Sequence, residues 1–242
     1  MLYKSFADIP EEFLTEVPVI IPTFNQLTLC QNTISRLQDF GLKNFIILDN
    51  GSSYLPFVNW LEQTEYPVII YYDNPGPRNF FISLNIWNRL PQHFIVTDPD
   101  LEYPLTIPTS LVSDMIELSN RKAWGKVAIG LNTEPADKMY DGVKIWEAAY
   151  WRTIIEHMPS GDPIYAAKTD TTFALYNKKF ISRPGDLNWE GEFFISPRIC
   201  GNYMCQHLGW YIDKGLPQEE VDFYEKNASS WSCTNEAMKN KR

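Results

Sequence analysis

Four short apolar runs constrain this chain most, each closed by polar or turn-forming residues and separated from the next by residues at helical spacing. Val17 to Pro22 is a β-branched run stopped by proline, which marks a buried strand. After the loop Thr23-Phe24-Asn25, the residues Cys30, Ile34, Leu37 and Phe40 recur at helical spacing until Gly41. Phe45 to Leu48 runs into Asp49-Asn50-Gly51-Ser52-Ser53, and a helical stretch around Phe57 to Gln63 follows. Val68 to Tyr72 ends at Asp73-Asn74-Pro75-Gly76. Asn79 to Leu90 carries Phe81, Leu84 and Trp87 on one helical side, and Phe94 to Val96 ends at Thr97-Asp98-Pro99-Asp100. Strands alternating with helices at this pace predict βαβ units, hence a parallel sheet with right-handed crossovers. Such a sheet carries all four polar strand ends on one edge, where open α/β folds bind ligands.

Beyond Asp100 the pattern loosens. The spacing predicts a helix over Thr109 to Asn120, a strand over Lys126 to Leu131 and a loop over Thr133 to Asp141. It predicts a helix over Val143 to His157, a strand over Thr171 to Tyr176 and turns over Arg183 to Trp189. Phe193 to Ile195 and Tyr203 to Tyr211 read equally as short strands or irregular segments, and the polar tail from Asp222 as a peripheral helix or disorder.

Composition narrows the function classes. Of 242 residues, 44% are apolar and 14% aromatic, enough for a sizeable core, and 30 acidic against 21 basic side chains leave a formal charge of -9. That balance disfavours a broad contact with a phosphate backbone, so nucleic acid is not an expected partner. Charged residues from Lys4 to Glu16 interrupt any signal-peptide pattern, and no apolar run approaches the ~20 residues of a membrane helix. A soluble, cytoplasmic protein without a transmembrane segment is expected. Cys30, Cys200, Cys205 and Cys233 lack paired zinc-site spacing and are expected to be reduced thiols. The sequon Asn227-Ala228-Ser229 then carries no meaning, since its glycosylation needs a secretory route.

Asp98 and Asp100 are the sharpest chemical feature. Hard divalent cations take oxygen ligands and commonly sit on one or two carboxylates plus substrate phosphates. Pro99 fixes φ between the two acids and restrains their relative geometry. The first strand-to-helix turn, Pro22-Thr23-Phe24-Asn25-Gln26, has no glycine, which argues against a dinucleotide site or a P-loop.

Val19-Ile20-Ile21-Pro22-Thr23-Phe24-Asn25, Ile47-Leu48-Asp49-Asn50-Gly51-Ser52-Ser53, Asn74-Pro75-Gly76 with Asn85, and Thr97-Asp98-Pro99-Asp100 stand in an order that resembles a GT-A glycosyltransferase, similar to family 2. The resemblance covers roughly residues 17 to 131 and is loose thereafter. It implies an α/β fold of GT-A (Rossmann-like) type, a mainly parallel sheet flanked by helices with a smaller mixed acceptor-side region. The expected organisation is one domain over 1–242, with a nucleotide-sugar half at 17–131, an acceptor half at 132–221 and a peripheral tail at 222–242.

The implied activity is a metal-dependent hexosyltransferase moving a sugar from a nucleoside-diphosphate sugar, UDP-sugar before GDP-sugar, to a glycan or other hydroxyl acceptor, with inversion favoured and retention left open by a missing Glu-Asp pair. By the resemblance, Pro22, Thr23, Asn25, Asn50 and Gly76 line the nucleotide pocket, and Asp49 bonds base or ribose. Asp98 contacts ribose or metal, Asp100 ligates the metal, and His207 matches a further metal ligand near the domain's C-terminal end. Imidazole with carboxylates favours Mn²⁺ over Mg²⁺. Arg78 can reach the base or diphosphate through its planar donor fork. The family's usual Glu-Asp pair is missing from the acceptor half, so Asp170 and Glu192 are the candidate bases. Trp146, Tyr150, Trp151, Trp189 and Trp210 are candidates for stacking on sugars, though packing accounts for most such residues. A nucleotidyltransferase and a non-catalytic sugar-nucleotide or glycan-binding module are the alternative readings.

Overall fold

A computed structural model of the protein describes residues 1–227. Its strands are β1 (Leu2–Tyr3), β2 (Val19–Thr23), β3 (Phe45–Asp49), β4 (Val68–Ile70), β5 (His93–Val96), β6 (Leu101–Glu102), β7 (Lys126–Ile129), β8 (Ile154–His157), β9 (Pro163–Lys168), β10 (Ala174–Asn177), β11 (Ile195–Ile199) and β12 (Gln206–His207). The helices are α1 (Leu27–Gln38), α2 (Leu55–Gln63), α3 (Leu84–Arg89), α4 (Leu111–Lys122), α5 (Asp141–Ala148) and α6 (Gln218–Asn227).

Ten strands form one sheet in the order β1-β4-β3-β2-β5-β10-β7-β11-β9-β8. From β1 to β5 every pairing is parallel. Strand β10 enters antiparallel between β5 and β7, while β11 runs parallel to β7, and β9 and β8 close the edge as antiparallel strands. The molecule is therefore α/β, with a large, mainly parallel sheet flanked by helices.

Alternation along the strands divides the core between the two faces of the sheet. Val19, Ile21, Ile47, Ile95, Val127, Ile129 and Leu175 turn toward α1, α2 and α4. Ile20, Ile46, Phe94, Val96, Ala128 and Tyr176 turn the other way, against the N-terminal segment and α3. Phe94 and Tyr176 pair directly opposite one another in register and stack at 5.0 Å, 6° from coplanar. Neighbours in register can thus lock β10, which lies far along the chain, beside β5.

Chain direction in the parallel half reverses beside β2. The chain steps from β2 outward to β3 and β4, then returns to place β5 on the other side of β2. A crevice opens beyond the carboxyl ends of strands at such a reversal, here between Thr23 and Thr97.

Some expectations require correction. The helix expected over Val143 to His157 ends at Ala148, and Ile154–His157 is an edge strand paired with β9 through an irregular register. The β-branched Thr153-Ile154-Ile155 run suits a strand as well as the helical spacing did, and the partner strand decides between them. The helix expected over Asn79 to Leu90 divides into a 3-10 turn, Asn79–Ile82, and α3, with Ser83 extended between them. Tyr203 to Tyr211, expected as short strand or irregular structure, holds some of each: a 3-10 turn ends at Tyr203, β12 follows, and a second 3-10 turn spans Leu208–Trp210. The tail expected from Asp222 opens inside α6; Cys233 and the end of the sequon lie outside the described residues. Among the described residues no helix is long and apolar enough to cross a membrane.

Candidate metal centre and cleft

The crevice at the strand-order reversal is lined from both halves of the chain. Pro22, Thr23, Asn50, Asp98, Pro99 and Asp100 line it from the first half, and Trp146, Asp170, Thr171 and Arg198 from the second. The loop after β5 supplies the acids. Its continuation β6 pairs antiparallel with β12, placing His207 opposite Leu101. The Leu208 amide donates to the Asp100 carbonyl at 2.8 Å, so the two loops are tied by main chain where their side chains meet.

There His207 Nε2 lies 3.7 Å from Asp98 Oδ2, and His207 Nδ1 lies 3.4 Å from Asp100 Oδ2. One ligand atom from each of the three residues falls within 4.8 Å of the other two. Two observations test whether this group fits a cation. His207 Nδ1 is buried with no hydrogen-bond partner, although burying an imidazole nitrogen unpaired is costly. Gly209 provides the space: a Cβ there would stand 2.6 Å from Asp100 Oδ2 and 3.2 Å from His207 Nδ1. Two carboxylates and one imidazole suit a hard or borderline divalent ion.

Electrostatics agree with that reading. Burial and the nearby Asp170 charge push Asp98 up to about 7, with Asp100 adding to the effect and His207 opposing it. Thr172 donates to Asp98 Oδ2 at 3.4 Å. A dense set of carboxylates facing a cleft is costly without a counter-charge, and a bound cation supplies one.

Asp170 and Arg78, assigned separate roles from the sequence, form one unit. Arg78 donates to Asp170 Oδ2 through Nη2 at 2.9 Å and Nε at 3.3 Å. Burial alone would raise the Asp170 carboxyl, but the Arg78 charge and hydrogen bonds, with Lys126 behind them, bring it below the usual carboxylate range. The Arg78 guanidinium lies 4.6 Å above the Trp189 ring, which fixes its orientation. In this structure its donor fork is directed to Asp170. Glu192 is exposed at the start of a 3-10 turn and lies off the lining of the cleft.

The remaining predicted residues divide. Thr23 and Asn50 line the cleft with Pro22, and Thr23 Oγ1 is buried without a partner. Asn50 also donates from its amide and its Nδ2 to the Thr23 carbonyl, at 2.9 and 3.3 Å. Asp49 and Asn25 turn into the loops instead. Ser52 donates to Asp49 from both its amide, at 2.9 Å, and its hydroxyl. The Asn25 amide donates to Ser52 Oγ at 2.7 Å, and Asn25 Oδ1 accepts from the Ser53 and Tyr54 amides at 2.7 and 2.9 Å. Asn25 also has φ 55°, a left-handed conformation that asparagine tolerates better than most residues. These two side chains join the loops after β2 and β3. Gly76 borders a smaller recess beside Pro22 and Asn50.

Sequence reasoning missed the buried polar layer behind the cleft. Arg198 donates to Glu147 Oε1 at 2.5 Å and to Thr169 Oγ1 at 2.9 Å, and both charged residues are almost fully buried. Lys126, the first residue of β7, donates to the Thr169 carbonyl and faces the rings of Tyr176, Phe193 and Phe194 at 5.0, 5.5 and 5.6 Å. No spacing rule distinguishes such residues from surface charges.

On the C-terminal side, α6 sits against α1. Thr28 donates from its amide and hydroxyl to the buried Glu220 carboxylate, at 3.0 and 2.6 Å, where the helix dipole favours negative charge. No protein-family model matches this chain, and no curated protein matches it. The fold and site define an α/β protein with an Asp-Asp-His candidate cation centre at the carboxyl edge of its sheet.

Proposed function

We propose that the protein is a metal-dependent glycosyltransferase of GT-A type, moving a sugar from a nucleoside-diphosphate donor to an acceptor hydroxyl. One observation carries the reading: Asp98, Asp100 and His207 gather within ligand distance at the strand-order reversal, where an α/β sheet receives a nucleotide. The chemistry of that donor set favours Mn²⁺ or Mg²⁺, held by these three residues. When bound, such an ion supplies Lewis-acid neutralisation of a departing diphosphate.

The chain's own residues divide the remaining work. Thr23 and Asn50 face the donor on the β2 side, and Thr23 Oγ1 is available as a hydrogen-bonding group. Asp170, across the cleft, takes the proton from the acceptor hydroxyl as general base. Arg78 keeps that carboxylate ionised and oriented, and Trp189 holds Arg78. The buried Arg198–Glu147 pair stiffens the strand that follows the acceptor wall.

Incubation with a panel of UDP- and GDP-sugars and Mn²⁺ tests the proposal. Slow release of nucleoside diphosphate without acceptor is expected. No release from any donor, together with no metal-dependent nucleotide binding, overturns it, and inorganic pyrophosphate as product would favour a nucleotidyltransferase.

A further inference from the structure

We infer that the acceptor is a neutral carbohydrate whose ring packs on Trp146, an inference that rests on the transfer reading above. Trp146 lies on α5 and on the wall of the cleft, yet it is 39% exposed. A ligand that covers the open part of the ring gains apolar burial there. A pyranose suits that contact, since its C–H face is apolar and its rim is polar.

The ring does not stand alone. Trp189 lies 6.5 Å from it at 35°, and Trp210 lies 5.9 Å away at 75°. Trp210 is buried and stacks on the His207 imidazole at 4.7 Å and 4°. An aromatic wall therefore runs from the cation centre to the open Trp146 ring. The same wall holds the base, because Trp189 carries Arg78 and Arg78 carries Asp170. A sugar seated on Trp146 is thus connected through this wall to both the proposed base and the metal group.

Charge argues for a neutral sugar. The cations along this wall are each paired already: Arg78 with Asp170, Arg198 with Glu147, and Lys168 with Glu190. With the proposed ion offset by Asp98, Asp100 and the donor diphosphate, an acidic acceptor would bring its charge toward Asp170 without a cation free among those three to receive it.

The test uses the full chain with Mn²⁺, an intact donor that the protein is found to hydrolyse, and three acceptor sets: methyl glycosides of neutral hexoses, the corresponding methyl glycuronides, and a serine/threonine peptide. Neutral glycosides are expected to yield glycosylated product, and the others not. Trp146→Ala is expected to lower the ratio of transfer to donor hydrolysis about tenfold, with Trp146→Phe retaining most of it. Saturation-transfer NMR with the same glycosides, in nucleoside diphosphate and Mn²⁺, reads the subsite without turnover; a signal from neutral glycosides that Trp146→Ala abolishes is expected. Donor hydrolysis with transfer only to glycuronide or peptide overturns the acceptor inference and leaves the transferase reading standing. So does an unchanged ratio in Trp146→Ala, or the absence of any glycoside signal. No hydrolysis of any donor by the wild type overturns the transferase reading itself, and this inference with it.

Discussion

Asp100 and His207 are joined twice, by a main-chain bond from the Leu208 amide to the Asp100 carbonyl and by the approach of His207 Nδ1 to within 3.4 Å of Asp100 Oδ2. The backbone bond holds the two loops in place, so the side chains meet without having to organise each other. Asp100→Asn and His207→Ala are each expected to weaken Mn²⁺ binding by about 100-fold or more with little change in fold. Isothermal titration calorimetry, or electron paramagnetic resonance of Mn²⁺, checks this. Gly209→Ala is expected to act in the same direction, because its Cβ displaces the Asp100 carboxylate.

Asp170→Asn is expected to lower transfer by roughly 10²–10⁴-fold while Mn²⁺ still binds, since it removes the proposed base and leaves the proposed ligands. Arg78→Met tests the cause of the Asp170 ionisation. Arg78 offsets burial and holds the carboxyl low, so its loss raises that pKa. A base works as the carboxylate, so the acidic limb of the kcat/KM profile moves to higher pH in the variant.

Lys126 links stability to pH. Burial lowers its pKa from 10.5 to about 7, against the pull of Asp170. Between these values the unfolded chain binds a proton that the folded chain does not, so stability rises with pH across this window. One proton contributes at most about 1.4 kcal/mol per pH unit. Lys126→Met is expected to flatten the slope above pH 7 in urea titrations, and an unchanged slope would exclude Lys126 as its source.

Glu147→Ala leaves Arg198 buried without its partner and is expected to cost about 3–5 kcal/mol. Burial raises the Glu147 pKa and Arg198 opposes that shift, so the pair works as a unit. The double variant Glu147→Leu with Arg198→Met is expected to recover much of the loss, since apolar replacement of a buried pair is often neutral. Chemical denaturation measures both.

Much of the parallel half was legible. Each strand from β2 to β5 is a short apolar run, and each runs into residues whose own chemistry makes a turn, as Asp49 at the end of β3 and Asn50 after it do. Periodicity failed where one run fits two structures. Ile154 and Ile155 suit a helix by spacing and a strand by branching, and only β9 beside them decides.

Candidate site residues divide in the same way. Asp98 and Asp100 are set by their place after a buried strand, two positions apart with proline between them, and this is local information. Whether a polar strand end faces the cleft is not local. Thr23 does, while Asp49, equally well placed after its strand, is turned into its loop by Ser52.

By itself the sequence determined the alternation of strands and helices, the shared edge on which their polar ends fall, and the Asp-Pro-Asp geometry. Those follow from side-chain periodicity and turn chemistry, which operate over a few residues. Tertiary structure decided the partners: His207 beside Asp100 through β6 and β12, Arg78 on Asp170, and Trp146 on the cleft wall. The physical reason is that strand register and burial over long separations choose which distant side chains share a low-dielectric space. No local pattern records that choice.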